Sequence, residues 1–329
     1  MRRLLINLVV LGFSLAVCLA LGELAARTFY GDVSTTGHHG DFFSRRWYAE
    51  NPAQVNSLGF REREFINPPP DDLFRIAVVG DSITYGQGLL ADARMTNLLQ
   101  ERLDPTATEI EVLNFGRPGA ETIDQLEFLH SAVLPGQPDF VLLQWFVNDL
   151  EGHNKSGRPR RHRLMPNDTL HELFWRRSAL YVVTQIAFDQ AIRSLSDSPS
   201  YAEYMAARFA DPASKDLTDY VETLSEFIGT ARSAGAELGM LLYPRVPDYR
   251  DGHYPHGYLH DHILRTCATH EITCVDLRDA LFAVGDNAAL AVNRLDAHPS
   301  ALANRIMADA VLNAFEAQWI AQKDARATP

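Results

Sequence analysis

Short apolar runs alternate with amphipathic segments along most of the chain. The first run, 74–79, ends at Gly80-Asp81-Ser82. Apolar runs that stop at such turn signals are typical of buried parallel strands. Four similar runs follow, at 110–115, 140–145, 238–243 and 272–277. Helical patterns separate the runs, notably over 86–104, 120–133, 217–234 and 257–269. The alternation predicts an α/β fold in which βαβ units with right-handed crossovers build a five-stranded parallel sheet.

One long interval interrupts this alternation. More than ninety residues separate the third run from the fourth, and a structureless loop of that length would be unusual in a compact domain. Helical patterns over 178–195 and 201–209 predict a helical insertion at about 151–212. The last helix is expected to run from Pro299 or Ser300 to about 321, so that one folded domain covers 73–325.

The N-terminal segment has the composition of a membrane helix. Arg2 and Arg3 precede eighteen residues without a charge, Leu4 to Leu21. As a helix this run is roughly 27 Å long, close to the ~30 Å core of a bilayer. The positive-inside rule places the N-terminus in the cytoplasm and the rest of the chain outside. A retained anchor over 1–27 is favoured because the run is long for a signal peptide, although Ala20-Leu21-Gly22 fits a small-x-small cleavage site.

Polar, turn-rich residues over 28–72 follow the apolar segment and end near three consecutive prolines, 68–70. Consecutive prolines remove backbone donors and favour extended chain. The segment is therefore predicted to connect the anchor to the folded domain.

Charge and composition exclude several classes of protein. The chain has 30 basic and 42 acidic residues, a net charge of −12, which argues against a nucleic-acid partner. An apolar content of 46% permits a sizeable core and excludes global disorder. Only three cysteines are present, too few for a disulfide-dense scaffold or a four-cysteine zinc site.

Candidate chemistry gathers at the ends of the predicted strands. Ser82 follows the first strand, where a serine can act as a nucleophile if a base activates it. Serine and aspartate at that position are also good helix N-caps, so capping is the competing interpretation. The second strand runs into Asn114-Phe115-Gly116-Arg117-Pro118-Gly119. Glycines there let backbone amides approach a ligand closely, as an oxyanion hole requires.

Two further blocks carry compatible side chains. After the third strand, Asn148 supplies a neutral donor suited to an oxyanion, whereas Asp149 is expected to cap or orient the loop. Near the C-terminus, Asp296-Ala297-His298 precedes the last predicted helix. A histidine there can act as a general base, and a nearby carboxylate can orient it and stabilise the imidazolium.

Together these four blocks resemble the SGNH hydrolase superfamily, also called GDSL-type esterases, over residues 75–310. The resemblance implies a flavodoxin-like three-layer α/β/α fold and ester hydrolysis through an acyl-serine intermediate. Carried over by position, Ser82 would be the nucleophile, His298 the base and Asp296 the residue that orients it. The oxyanion hole would comprise the Ser82 N–H, the Gly119 N–H and the Asn148 side chain, with Gly116 as the alternative glycine. We expect no cofactor and no metal.

The spacing of the acid departs from the commoner Asp-x-x-His pattern, which would place the carboxylate at Leu295. The shorter Asp-x-His form is similar to that of membrane-anchored members. In an extended segment, side chains two apart point the same way, and a residue before proline favours extended geometry. Asn56-Ser57-Leu58-Gly59-Phe60-Arg61 also resembles a segment of the anchored members, with no chemical role assigned.

The sequence therefore predicts a membrane-anchored, extracytoplasmic serine esterase acting on carboxylic esters of lipids or acylated glycans. An O-acyltransferase with a glycan acceptor would use the same acyl-enzyme and remains an alternative. A non-catalytic surface binding module is the third candidate, and the complete set of nucleophile, base and oxyanion donors argues against it. The chain contains neither Gly-x-Ser-x-Gly nor His-Glu-x-x-His, the signatures of other hydrolase sites.

Three weaker features leave alternatives open. Four histidines, His253, His256, His260 and His262, could form a metal site or a polar loop that enters a helix. Five positive residues could attract an anionic substrate or a lipid headgroup, or be a solvated loop; they are Lys155, Arg158, Arg160, Arg161 and Arg163. Cys267 and Cys274 could form a disulfide or remain two buried thiols.

Overall fold

Five parallel strands form the central sheet of the protein: β1 (Phe74–Gly80), β2 (Ile110–Gly116), β3 (Phe140–Trp145), β4 (Glu237–Leu242) and β5 (Thr273–Asp276). This computed structural model describes residues 2–38, 40–152, 154–159, 161–197 and 199–326. Each predicted strand is confirmed to within one residue at either end. Residues of β1 to β3 are almost wholly buried. Because both faces of these strands are covered, their sequences are nearly continuous apolar runs.

The strands are ordered β2-β1-β3-β4-β5, the order of flavodoxin-like sheets. From β1 the chain continues to β2 on one side, and β3, β4 and β5 then follow on the other side of β1. The loops after β1 and β3 therefore run in opposite directions, and a crevice opens between them. In open α/β sheets the carboxyl ends of strands beside such a crevice carry the functional groups. The predicted α/β fold with a five-stranded parallel sheet is therefore confirmed.

Helices cover both faces of this sheet. One apolar cluster contains side chains of α5 (Thr122–Phe128), α8 (Tyr201–Phe209), α9 (Lys215–Ser233) and α10 (Gly257–Thr269). The other contains side chains of α4 (Met95–Leu103), α11 (Arg278–Phe282) and α12 (Ala301–Arg326). Ile76 and Val78 of β1 belong to the second cluster, and Ala77 and Val79 to the first. Burying a side chain the size of valine or isoleucine contributes roughly 1.5–3 kcal/mol, so both faces are stabilised by their helices.

The helix predicted over 86–104 begins later than expected. A single turn, α3 (Ser82–Tyr85), follows β1, and the longer helix starts only at Met95. Gly86 and Gly88 lie between them with φ of 73° and 77°, a left-handed conformation that a helix interior does not admit. The helix predicted over 120–133 changes after Phe128 into a π-helical turn, Leu129–Val133.

By the density of contacts the chain divides into two units. The first comprises Met1–Glu50 and Arg160–Ser198, and the second Asn51–Pro159 and Pro199–Pro329. The segment predicted as a connector is therefore shared: residues from Asn51 onward pack in the unit that contains the sheet. The helical insertion expected at about 151–212 is likewise divided, since α8 packs in the second unit.

The first unit contains α1 (Arg2–Phe29), α2 (Phe42–Glu50), α6 (Asp168–Arg177) and α7 (Ala179–Leu195). α1 has a window of mean hydropathy 2.7, none of it buried, and its length and composition fit a membrane span or a signal sequence. Below this apolar stretch, the Glu23 carboxylate accepts hydrogen bonds from Ser178 Oγ, Ala179 N and Leu180 N at 2.7, 3.0 and 3.1 Å. A carboxylate is stabilised at a helix N-terminus, and here it joins α1 to α7.

Two features near the C-terminus complete the second unit. Cys267 of α10 and Cys274 of β5 form a disulfide, which decides between the two states that the sequence left open. A short antiparallel pair that the sequence did not predict, β6 (Ala291–Asn293) and β7 (Asp296–Pro299), precedes α12. It holds the Asp296-Ala297-His298 block in extended conformation.

Candidate active site

Ser82 begins the single helical turn that follows β1. Asp81 is the N-cap of this turn, and its carboxylate accepts a hydrogen bond from Ile83 N at 2.8 Å. Capping, the competing role considered for this position, thus falls to Asp81. The Ser82 hydroxyl remains directed at a histidine, and the residue is half-buried.

His298 and Asp296 lie on β7, and His298 contacts Ser82 just beyond the carboxyl end of β1. His298 Nε2 lies 2.8 Å from Ser82 Oγ, and His298 Nδ1 lies 2.5 Å from Asp296 Oδ1. The same carboxylate oxygen accepts a hydrogen bond from His298 N at 3.1 Å. The extended geometry expected up to Pro299 is confirmed, and it brings the two side chains to one side despite their two-residue spacing. The structure therefore brings together a hydroxyl, an imidazole and a carboxylate in series.

The electrostatic surroundings favour the protonated imidazole. Burial disfavours its charged form, but the hydrogen bond and charge of Asp296, together with the charge of Asp81, prevail and raise the pKa of His298 above its usual range. The Asp296 side chain is only 1% exposed, whereas that of His298 is 20% exposed. A base that gains a proton during the reaction is stabilised by this arrangement.

Asn148 and Asp149 lie in a 3-10 turn, Val147–Glu151, directly after β3. The Asp149 carboxylate accepts hydrogen bonds from Phe146 N at 2.7 Å and from Gln125 Nε2 at 3.0 Å, so its expected role in orienting the loop is confirmed. The Asn148 side chain lies close enough to Asp81 for its amide to favour the charged form of that carboxyl group and to lower its pKa. The loop after β3 therefore lies beside the turn that carries Ser82.

Two buried carboxyl groups lie close to the site. Burial raises the pKa of Asp81 to about 6, although Ile83 N, the charge of His298 and the Asn148 amide all act to lower it. Burial and the negative charge of Asp81 raise the pKa of Asp149 well above its usual range. Sequence reasoning considered capping at this position but assigned no separate role to Asp81, which caps the Ser82 turn. The available signal was an aspartate, a favoured N-cap residue, directly before the turn.

The two candidate glycines after β2 are in different surroundings. Gly116 N donates to Asn114 Oδ1 at 2.9 Å, and a Cβ at this position would lie 2.2 Å from Tyr85 N. Gly116 is therefore required because the backbone of β2 passes close to α3. Gly119 is exposed, with a φ of 79° and no atom of another residue near its missing side chain. Its surroundings leave room for a ligand.

Comparison with known families agrees with this geometry. The sequence profile of the GDSL-like lipase/acylhydrolase family matches residues 78–306, which is more than half of the chain and includes Ser82, Gly119, Asn148, Asp296 and His298. The chain belongs to this family. It is a hydrolase that acts on ester bonds. No curated protein matches the sequence.

Solved structures similar to this hydrolase include a GDSL-family lipolytic protein from Veillonella parvula, with 14% identity, a TM-score of 0.44 and coverage of 74% of this chain and 98% of that one. A lipase/acylhydrolase from Enterococcus faecalis has 16% identity and a TM-score of 0.45, with 75% and 97% coverage. A catalytic mutant of an acetylxylan esterase from Geobacillus stearothermophilus has 17% identity and a TM-score of 0.44, with 75% and 95% coverage.

The four neighbouring histidines of this hydrolase do not converge. His256 Nε2 lies 2.8 Å from Asp248 Oδ2, and His260 Nδ1 lies 3.2 Å from Asp276 Oδ1. His256 and His260 are wholly buried. Among the residues that the structure describes, no group of three His, Cys, Asp or Glu side chains could hold a metal ion. The buried pairs account for two of these histidines as structural residues.

The basic stretch is partly neutralised by acidic side chains. Lys155 Nζ lies 2.8 Å from Glu121 Oε1, and Arg158 Nη1 lies 3.6 Å from Glu151 Oε2. Arg163 pairs with Asp168, and Arg160 lies outside the described residues. Glu121 and Glu151 are buried, so their charges fix Lys155 and Arg158 and weaken the attraction of this stretch for an anion.

Proposed function

We propose that this hydrolase is a serine esterase that cleaves carboxylic esters through an acyl-serine intermediate. Ser82 Oγ attacks the ester carbonyl, and His298 Nε2 takes its proton as general base and then returns it to the leaving alcohol. Asp296 fixes the tautomer of His298 and stabilises the imidazolium. Water repeats the attack on the acyl-enzyme with His298 again as base, which releases the acid and restores Ser82.

The observation that carries this proposal is the continuous series from Ser82 Oγ through His298 to Asp296, with distances of 2.8 and 2.5 Å. A serine is a weak nucleophile unless a base lies within hydrogen-bond reach, and the base in turn needs an orienting group. Both conditions are met here, and the raised pKa of His298 fits a group that accepts a proton.

We further propose that the oxyanion hole is formed by the Ser82 N–H, the Gly119 N–H and the Asn148 side chain. All three follow carboxyl ends of adjacent strands, β1, β2 and β3, beside the crevice. Gly119 is favoured over Gly116 because the Gly116 N–H already donates to Asn114. An acyl-transfer intermediate is stabilised by donors fixed in advance around the developing charge.

We also propose that α1 is retained as a membrane anchor over 1–27, followed by a connector over 28–72 and a hydrolase domain over 73–325 with a helical insertion at about 151–212. Arg2 and Arg3 place the N-terminus in the cytoplasm, so the hydrolase lies on the extracytoplasmic side, where esters of lipids or of acylated glycans are its substrates. The exposed apolar surface of α1 supports this proposal.

Carbonate extraction and external proteolysis test the anchor. We expect the full chain to stay with the membrane fraction, and residues beyond 30 to be cleaved once the outer barrier of the cell is opened. A soluble species that begins near Glu23 would show that the segment is a cleaved signal peptide.

A panel of nitrophenyl esters, from acetyl to palmitoyl, tests the esterase activity on the full chain in detergent. We expect cleavage of at least one chain length, with the preferred length defining the acyl site. Ser82→Ala should abolish it, whereas Ser233→Ala, an exposed serine at the end of α9, should not change it. Equal loss in both variants, or activity that survives in Ser82→Ala, would refute the proposal.

A further inference from the structure

The segment Asn56–Glu62 lies outside the region that the family profile matches, 78–306, yet it is packed into the domain. Phe60 is 1% exposed, and its ring lies 5.0 Å from that of Phe115 at the end of β2 and 5.6 Å from that of Phe128 in α5. Asn56 closes a turn around it, because Phe60 N donates to Asn56 Oδ1 at 3.0 Å. The segment is thus fixed beside the carboxyl end of the sheet.

The next residue, Arg61, directs its guanidinium to the turn that carries Ser82. Arg61 Nη1 donates to Gly86 O at 2.9 Å and to Tyr85 O at 3.3 Å, and Nη2 donates to Leu89 O at 2.8 Å. The side chain is buried. A planar guanidinium can bridge several carbonyls at once, which a lysine ammonium cannot do with the same geometry.

Two of these carbonyls, Tyr85 O and Gly86 O, lie at the C-terminal end of α3, and Gly86 O also accepts a hydrogen bond from Leu89 N at 3.2 Å. α3 is one turn long, Ser82–Tyr85, and a single turn is not stable without tertiary support. The last carbonyls of a helix need partners outside it. Asn114 Nδ2 donates to Thr84 O at 2.6 Å, and Arg61 donates to the two carbonyls that follow.

The same segment also holds Asn114. Glu62 Oε2 accepts a hydrogen bond from Asn114 N at 2.9 Å. The segment therefore supplies one donor to the end of α3, Arg61, and holds the other donor, Asn114, in place. With Asp81 capping the other end, the turn that carries Ser82 is held at its start and at its finish.

A second buried arginine completes the arrangement. Arg94 Nη1 donates to Arg61 O at 2.6 Å, and its aliphatic part packs on Gly86, where a Cβ would lie 2.4 Å from Arg94 Cγ. Burial and the charge of Arg61 lower the pKa of Arg94 to about 10. The negative charge of the buried Glu62 acts in the opposite direction and offsets part of this repulsion.

We propose that Arg61 is a positioning residue for the nucleophile: by binding the carbonyls at the end of α3 it fixes Ser82 at hydrogen-bond distance from His298. The proposal rests on the proposed role of Ser82. It makes the segment between the apolar helix and the sheet a part of the catalytic unit, and not only a spacer.

The test compares Arg61→Met and Arg61→Lys with a matched control, Arg232→Met, in the full-length protein. Arg232, near the end of α9, also donates to a loop carbonyl, His270 O at 2.6 Å, but this carbonyl lies between α10 and β5 and not in the turn that carries Ser82. Three quantities are measured for each variant: kcat per site labelled by a fluorophosphonate, KM, and the rate of labelling at Ser82. Thermal unfolding of each variant reports its stability.

We expect Arg61→Met to lower kcat per labelled site by up to about 100-fold, the cost of misplacing a reacting group by about 1 Å. The labelling rate should fall in parallel, KM should change little, and Arg61→Lys should recover part of the loss. Arg232→Met should keep both rates even if it unfolds at a lower temperature. If Arg61→Met does not fold, Arg61→Lys carries the comparison.

A purely structural role would lower the unfolding temperature while kcat per labelled site stayed at the wild-type value, and that result would overturn the proposal. An equal fall in kcat for Arg232→Met would overturn it as well. Failure of the proposed function is distinguishable, because wild-type protein would then not be labelled at Ser82 at all.

Discussion

Two histidine–aspartate pairs in this hydrolase have similar contacts and different surroundings. His298 Nδ1 meets Asp296 and its Nε2 meets the Ser82 hydroxyl. His260 Nδ1 meets Asp276, and its Nε2 lies 3.4 Å from the Tyr254 hydroxyl. The His298 side chain is 20% exposed and the His260 side chain 0%.

The environment sets opposite protonation preferences for the two rings. For His260, burial outweighs the attraction of Asp276 and lowers the pKa. For His298, burial is outweighed by Asp296 and Asp81, and the pKa is raised. A carboxylate partner alone therefore does not set the protonation preference of a histidine; the balance of burial against nearby charge decides it.

The largest difference between the pairs is expected when each histidine is replaced. His298→Gln should lower kcat on the order of 10⁶-fold, as loss of the base does in a well-studied serine hydrolase. His260→Gln should retain kcat per active site, because its ring faces Trp145 and Tyr254. Ester turnover normalised to phosphonate-labelled sites measures both. Comparable losses would place both histidines in the catalytic unit.

Replacing the acid should give the next largest effect. Asp296→Asn should cut kcat by up to about 10⁴-fold, because the amide favours the wrong tautomer of His298. The base must be neutral, so the wild-type rate rises with pH through a pKa above about 6.5. Removing the charge that raises this pKa should move the rising limb to lower pH. A pH–rate profile of both proteins checks the shift, and an unchanged rate would leave a Ser82–His298 dyad.

Asn148→Ala tests whether this side chain is a donor of the proposed oxyanion hole. Loss of one donor typically costs about 100–1000-fold in turnover, and KM should change little because the donor acts mainly on the developing charge. Steady-state kinetics separates the two parameters. A rise in KM at constant kcat would make Asn148 a substrate-binding residue instead.

The smallest catalytic effect is expected for a substitution in the buried His260–Asp276 pair. Asp276→Asn should leave kcat unchanged and lower the free energy of unfolding by about 1–3 kcal/mol, since it weakens the hydrogen bonds that Asp276 makes to His260 and to Arg278. Denaturant unfolding measures this change. A loss of turnover without a loss of stability would contradict the structural role.

How far the sequence predicts this molecule depends on the range of the interactions. The strands of the sheet were predictable because each is a short buried run between turn signals. Ser82, Asn148 and His298 were predictable as strand-end or pre-helix residues in a shared pattern. The long helix expected from 86 fails because Gly86 takes a left-handed conformation under Arg94, a contact that local periodicity does not contain.

The remaining features depend on contacts between distant parts of the chain. The β6–β7 pair is too short to give a strand pattern, yet it orients Asp296 and His298. The sequence already preferred Gly119 to Gly116 for the proposed oxyanion hole, and the hydrogen bond of Gly116 to Asn114, which supports that preference, is visible only in the fold. In the sequence, Arg61 is one charged residue of a polar segment. Only the fold shows that its side chain reaches the carbonyls at the end of α3, the turn that carries Ser82.

The proposed esterase activity depends most on Ser82 as the nucleophile activated by His298. Wild-type protein and His298→Gln are treated with an organophosphonate, and the modified residue is located by mass spectrometry of peptides. We expect one label, on Ser82, at a rate that rises with pH as His298 loses its proton, and little labelling in His298→Gln. Labelling of another serine, or equal labelling of Ser82 without His298, would contradict the central claim.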